Sequence, residues 1–181
     1  MTYVALLRGI NVGGNRKVEM AKLKLTFEQL GFSNVRTFIA SGNVIFNTDS
    51  TNEAELTKQI EKAIEKDFGF SVSVLLRNLL SIEKLVKAIP NSWVNDKVTK
   101  CDVMFLWKEA DSPAILKQLS SDPRIEDVKY YSGAVVWRID RDKASKSRML
   151  KVVGTTLHKQ MTVRNPNTVR KIYDLMLEAK A

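Results

Sequence analysis

Cysteine and histidine are almost absent, with one of each in 181 residues. A lone Cys101 excludes an intramolecular disulfide and points to a reducing compartment. It stands in the strand-like apolar run Cys101–Trp107, which reads as a buried structural position rather than a nucleophile. With His158 as the sole histidine there is no zinc-type cluster, no His-x-x-x-His pair and no histidine-based triad, so no metal site is expected. Long apolar runs are missing too, none approaching the ~18 residues that cross a bilayer. The opening MTYVALLRG lacks a basic n-region and a cleavage site. The expectation is a cytoplasmic protein without a signal peptide or a membrane partner.

Acidic residues are the scarcer charge, 20 against 29 Lys and Arg, giving a formal net charge of +9. The excess is uneven: from Arg141 to Ala181 ten basic residues face three acidic ones. A basic terminal region suggests phosphate, nucleic acid or an acidic protein as partner, against a face that merely keeps the protein solvated. A composition of 44% hydrophobic and 27% charged residues is that of a globular chain with a real core.

The first half reads as βαββαβ. Thr2–Leu7 is a strand and Glu19–Leu30 an amphipathic helix with Met20, Leu23, Phe27 and Leu30 on one side, stopped by Gly31. Asn34–Ala40 and Val44–Asn47 are strands about the turn Ser41-Gly42-Asn43. Asn52–Phe68 is a second helix with Gly69 as its stop, and Ser71–Arg77 another strand. This is the split-βαβ, ferredoxin-like order.

The second half partly repeats it. Asn78 can cap a helix Leu79–Ile89 that Pro90 ends, and the polar stretch Asn91–Thr99 reads as a linker. Cys101–Trp107 is a strand, Pro113–Ser120 a short helix, and Val128–Tyr131 with Ala134–Ile139 a hairpin across Ser132-Gly133. Ser145–Gln160 and Pro166–Lys180 are read as helices, the latter with Pro at its first position. The expected fold is α+β: two ferredoxin-like subdomains packed together, residues 1–77 and 100–181 with 78–99 connecting them. The second lacks a closing strand and adds a C-terminal helix.

Between the first strand and first helix runs Arg8-Gly9-Ile10-Asn11-Val12-Gly13-Gly14-Asn15-Arg16-Lys17. Glycines allow close backbone approach, and the amides of a strand-to-helix loop favour an anion. No Gly-Lys-Ser/Thr follows and no Gly-x-Gly-x-x-Gly is present, so neither nucleotide fingerprint applies. In a split βαβ unit the exit of strand one and the turn between strands two and three share one sheet edge. Ser41, Gly42 and Asn43 should therefore lie beside the loop.

On a wheel of 100° per residue, Met149, Leu150, Val153, Leu157 and Met161 form the apolar arc of the Ser145–Gln160 helix. Arg148, Lys151, His158 and Lys159 gather opposite. Thr162 or Asn165 can cap the last helix, with Arg164 placed to complement an anion. The aromatics Tyr130, Tyr131 and Trp137 read as core residues before stacking residues, and no RNA-binding signature is present.

Leu6-Leu7-Arg8-Gly9-Ile10-Asn11-Val12-Gly13-Gly14, with Lys17-Val18, Gly31-Phe32, Val35-Arg36-Thr37, Ser41-Gly42-Asn43-Val44-Ile45-Phe46 and Thr162-Val163-Arg164-Asn165, closely resembles a bacterial family catalogued as domain of unknown function sixteen-ninety-seven. The resemblance runs along nearly the whole chain. It implies two ferredoxin-like subdomains and assigns no activity or cofactor. The family pattern continues the Arg-Asn pair with Trp, where this chain has Pro166.

Three functions fit these features. The first is a phosphate-recognising surface for a nucleotide or nucleic acid, with Arg8, Lys17, Arg148, Lys151 and Arg164 as charges. Gly9, Gly13, Gly14 and Gly42 would give close backbone approach, and Asn11, Ser41, Asn43 and Asn165 would orient the ligand. The second is an enzyme on a small phosphorylated or carboxylated metabolite. The third is a non-enzymatic module whose basic face meets an acidic protein.

Overall fold

The computed structural model describes residues 1–14 and 16–180, and of Leu150 the main chain alone. The expectations for Asn15 in the loop and for the Leu150 side chain in the apolar arc lie outside the described residues. The chain is mixed α+β, with two four-stranded antiparallel sheets in two units. One unit comprises Met1–Ile82 with the stretch from Lys171 onward, the other Glu83–Arg170. This grouping divides the expected connecting segment 78–99 between the two.

In the first unit, β1 (Thr2–Leu7) is flanked by strands on both sides and buried along its whole length. With β2 (Ser33–Phe38), β3 (Asn43–Asn47) and β4 (Val74–Asn78) it forms a sheet of order β2-β3-β1-β4. Every pairing is antiparallel, Val4 facing Ile45 on one side and Arg77 on the other. A strand buried on both faces cannot show apolar-polar alternation, which is why TYVALL is continuous.

Helices α1 (Met20–Gln29) and α2 (Glu53–Phe68) cover the sheet. α2 is well specified locally: Asn52 Oδ1 accepts from Glu55 N at 3.2 Å, Glu53 and Glu55 sit in the first turn, and Gly69 ends it at φ +79°. Leu23, Phe27, Leu56, Ile60 and Ile64 from the helices meet Tyr3, Ala5, Leu7, Val44 and Phe46 from the sheet. Phe46 is the centre of an aromatic cluster, its ring 4.5 Å from Phe32, 5.5 Å from Phe27 and 5.9 Å from Tyr3. Each such pair adds about 1 kcal/mol beyond the area it buries.

α3 (Leu79–Ala88) follows β4 at once, with Asn78 Oδ1 accepting from Ser81 N at 2.9 Å. In the second unit β5 (Thr99–Leu106), β6 (Glu126–Tyr131), β7 (Ala134–Asp140) and β8 (Met161–Arg164) form a sheet of order β6-β7-β5-β8. A short helix α4 (Ile115–Gln118) packs on it through Ile115.

Two expectations are corrected here. The second unit has its closing strand: β8 pairs antiparallel with β5, Leu106 facing Met161 and Val103 facing Arg164. The strand is short and sets Thr162 and Arg164, both buried, on the face opposite Met161 and Val163, so its alternation hides a charge in the interior. Ser145–Gln160 is not one helix. It runs as 3-10 turns Arg141–Lys146 and Met149–Val152, then a short helix α5 (Thr156–Lys159). Ser147 is extended at ψ 134° and Gly154 left-handed at φ +86°, and neither conformation continues a helix. Met149 and Met161 are buried as the apolar arc predicts, whereas Val153 is 66% exposed.

The last helix, α6 (Pro166–Lys180), starts in the second unit and ends in the first. Asn165 caps it, Oδ1 accepting from Thr168 N at 2.8 Å, and Pro166 takes the first position, where its missing N–H leaves nothing unbonded. Among the described residues no helix is long and apolar enough to cross a membrane.

Candidate functional site

The glycine loop leaves β1 beside the β2–β3 turn. Leu7 N donates to Gly42 O at 2.8 Å and Arg8 N to Ser73 O at 3.0 Å. Gly42 is required by crowding as well as by its φ of +81°: a Cβ there would stand 2.6 Å from Ile10 Cδ1 and 2.8 Å from Leu7 Cβ. Gly9, Gly13 and Gly14 differ. All three are exposed at positive φ, and nothing lies within 4 Å of where a Cβ would be. Backbone conformation selects glycine there and leaves the approach to the main chain open.

Asn11 holds this edge together. At φ +54° it is in the left-handed region that asparagine tolerates. Its Nδ2 donates to Val18 O at 3.0 Å and to Ala40 O at 2.8 Å, its Oδ1 accepts from Val18 N at 2.8 Å, and its own N–H donates to Arg16 O at 3.1 Å. Asn43 is fully buried, with Nδ2 donating to Phe38 O at 2.9 Å and Ser41 Oγ at 3.2 Å. Both amides therefore frame the edge. Arg8 is half-buried and Lys17 exposed beside it.

In the second unit, Arg148 and Lys151 line a cleft of about 530 Å³ together with Gln118, Ser120 and Thr155. Leu119, Val152 and Leu157 supply its apolar wall. Sequence reading singled out the two cations and not the polar neighbours. Ser120 reaches the cleft through a φ of +48°, which its residue type does not announce. Thr155 caps α5, its Oγ1 accepting from His158 N at 3.3 Å and donating to Val152 O at 2.7 Å.

Arg164 and Asn165 occupy other roles. Arg164 is only 7% exposed in β8, donating to Thr162 Oγ1 at 3.0 Å and Val163 O at 2.7 Å. Burial lowers its guanidinium to about 10, which leaves it charged at neutral pH. Asn165 is the helix cap described above. The aromatics are tied into the fold: Tyr130 Oη donates to Asp111 Oδ1 at 2.8 Å, Tyr131 Oη to Ala88 O at 3.3 Å and Trp137 Nε1 to Glu126 Oε2 at 2.8 Å. Desolvation raises the Cys101 thiol to about 12, so it is inert as a nucleophile. Among the described residues no three His, Cys, Asp or Glu side chains are grouped to hold a metal.

A search of curated proteins finds no match. Among solved structures, the chain is similar to a conserved bacterial protein from Streptococcus pneumoniae, at 26% identity and a TM-score of 0.83 over 97% of this chain and 98% of that one. The family model described as protein of unknown function, DUF1697, matches residues 1–137. That span holds the glycine loop, the β2–β3 turn, strands β5 and β6 and the start of β7, and the chain belongs to this family.

Proposed function

We propose that the protein recognises a phosphate-bearing ligand, a nucleotide or nucleic acid, at the glycine-loop edge of the first unit. The observation that carries this reading is the pairing of two turns at one edge through Leu7 N–H to Gly42 O and Asn11 Nδ2 to Ala40 O. The frame is built by side chains that are already hydrogen-bonded, while the main chain at Gly9, Gly13 and Gly14 is exposed. Amides presented this way, with Arg8 and Lys17 beside them, suit an oxyanion. Arg148 and Lys151 in the second unit's cleft provide a further anion-binding surface. In the same proposal both units are ferredoxin-like, since β2-β3-β1-β4 and β6-β7-β5-β8 follow the same relative order.

The test is binding of single-stranded and duplex DNA and RNA, and of mono- and trinucleotides, at ~50 mM salt, where phosphate contacts are strongest. Expected is saturable binding that falls steeply with salt and weakens in Arg8→Ala and Lys17→Ala. Loss in Arg148→Ala and Lys151→Ala alone would move the site to the second unit. No binding of any of these ligands would remove the reading.

A further inference from the structure

The broken segment between Ser147 and Met161 does not close completely over the second sheet. A slot of about 240 Å³ remains, walled by Met104, Trp137, Met149 and Met161. These walls are nearly buried, at 6%, 3%, 5% and 1% exposure, so the slot is a narrow feature of the core layer. Its polar residues are Lys100, Asp102 and His158. Lys100 Nζ stands 3.2 Å from Asp102 Oδ2 and 5.5 Å from the centre of the Trp137 ring.

We propose that this slot binds a small aromatic acid. Three thioethers and an indole make a soft wall: methionine adapts its shape to a flat guest, and sulfur meets aromatic rings favourably. The volume is below the roughly 300–1,000 Å³ of pockets for drug-sized ligands, which selects a molecule of one or two rings. One cation, Lys100, lies where the polar residues and the indole face meet. A carboxylate entering there replaces Asp102 as partner of the ammonium, a charge-assisted contact beside the indole face. The slot is also specified by the fold. An unbroken helix over Ser145–Gln160 would bring Val153 onto the apolar arc; instead the extended Ser147 and the left-handed Gly154 leave Val153 at the slot and 66% exposed.

This inference is independent of the phosphate reading, because the slot shares Val152 with the basic cleft but neither Arg148 nor Lys151. The chain has six methionines, three on the slot and three elsewhere, at Met1, Met20 and Met176. Methyl-13C methionine NMR on the full chain therefore carries its own controls. The probe is indole-3-acetate, with uncharged indole as comparator and inorganic phosphate as a check on the cleft. Expected are saturable shifts at Met104, Met149 and Met161 below about 10 mM indole-3-acetate, with Met1, Met20 and Met176 unmoved. Lys100→Gln should weaken indole-3-acetate roughly tenfold and leave indole within about twofold, the loss of one charged contact. Val153→Phe alters an exposed wall residue, keeps the fold and should abolish both sets of shifts. Equal shifts at all six methyls, no saturable shift, or indole-3-acetate binding unchanged in both variants would overturn the proposal.

Discussion

The side-chain amide of Asn11 donates to the carbonyl oxygen of Ala40 at 2.8 Å, a bond across 29 residues that joins the glycine loop to the β2–β3 turn. The same amide is bonded to both main-chain groups of Val18, so one side chain fixes the start of the loop, its return towards α1 and the neighbouring turn. Asn11→Ala removes all three bonds and replaces asparagine in a left-handed conformation. We expect a loss of about 2 kcal/mol in urea unfolding, from part-buried groups left unpaired and the less favourable φ. A loss below a few tenths of a kcal/mol would show the edge is held by other means.

Two glycines at this edge should respond differently to the same methyl group. Gly42→Ala sets a Cβ against Leu7 Cβ, which cannot retreat, and we expect a cost of about 2–4 kcal/mol from crowding together with the positive φ. Gly9→Ala meets no neighbour within 4 Å and should cost only the left-handed conformation, about 1 kcal/mol. Paired denaturation curves check the ordering. An equal cost would remove close packing as the reason for Gly42.

Glu126 is buried and joins three segments of the second unit. Its carboxylate accepts from Trp137 Nε1 at 2.8 Å, from the Ser147 hydroxyl and from Asp122 N at 2.8 Å. Glu126→Gln keeps the shape but turns an NH₂ toward one of these donors. We expect destabilisation of about 2 kcal/mol, a fall in Tm of roughly 4–8 °C, with altered near-UV circular dichroism from Trp137.

On the acid side, the side-chain hydrogen bond from Arg124 and then its main-chain N–H hold the Asp122 carboxyl well down, at about 2 against an ordinary 3.8. A depressed carboxylate contributes stability above its unfolded value and loses it as pH falls through its folded value. That contribution is whole above pH 3.8 and lost on the way to about 2. Asp122→Asn should therefore be less stable than the parent near neutrality, and the two should converge as acid is added. Urea midpoints measured along that pH series read it directly.

The first unit was legible because each local signal agreed with the tertiary result. Asn52 and Gly69 delimit α2, the Leu56-Ile60-Ile64 spacing gives its buried face, and the strand order puts Gly42 beside Leu7. The second unit broke that agreement twice. The Met149–Met161 arc has helical spacing, yet Ser147 bonds Glu126 and Met149 N instead of continuing a helix. Strand β8 was hidden because Arg164 looks like a surface charge, and only pairing with β5 puts it inside. At the site, composition identified the loop and the cations. Asn165 was open to reading as a cap from its place before Pro166, whereas Asn11 and Asn43 could not be assigned to framing, since that depends on which carbonyls and amides the fold brings within reach.

Helix α6 changes unit as it runs, and this sets an order of assembly. Residues Lys171–Lys180 belong to the first unit but are synthesised after all of the second. The buried Ile172 and Met176 are among them, and Ala179 O accepts from Asn34 and Asn47. A nascent chain that has emerged only as far as Ile82 thus carries a sheet and two helices without their last wall. The unit begun first on the ribosome is the one completed last, and severing the chain after Ile82 would part the first unit from its final segment while leaving the second whole.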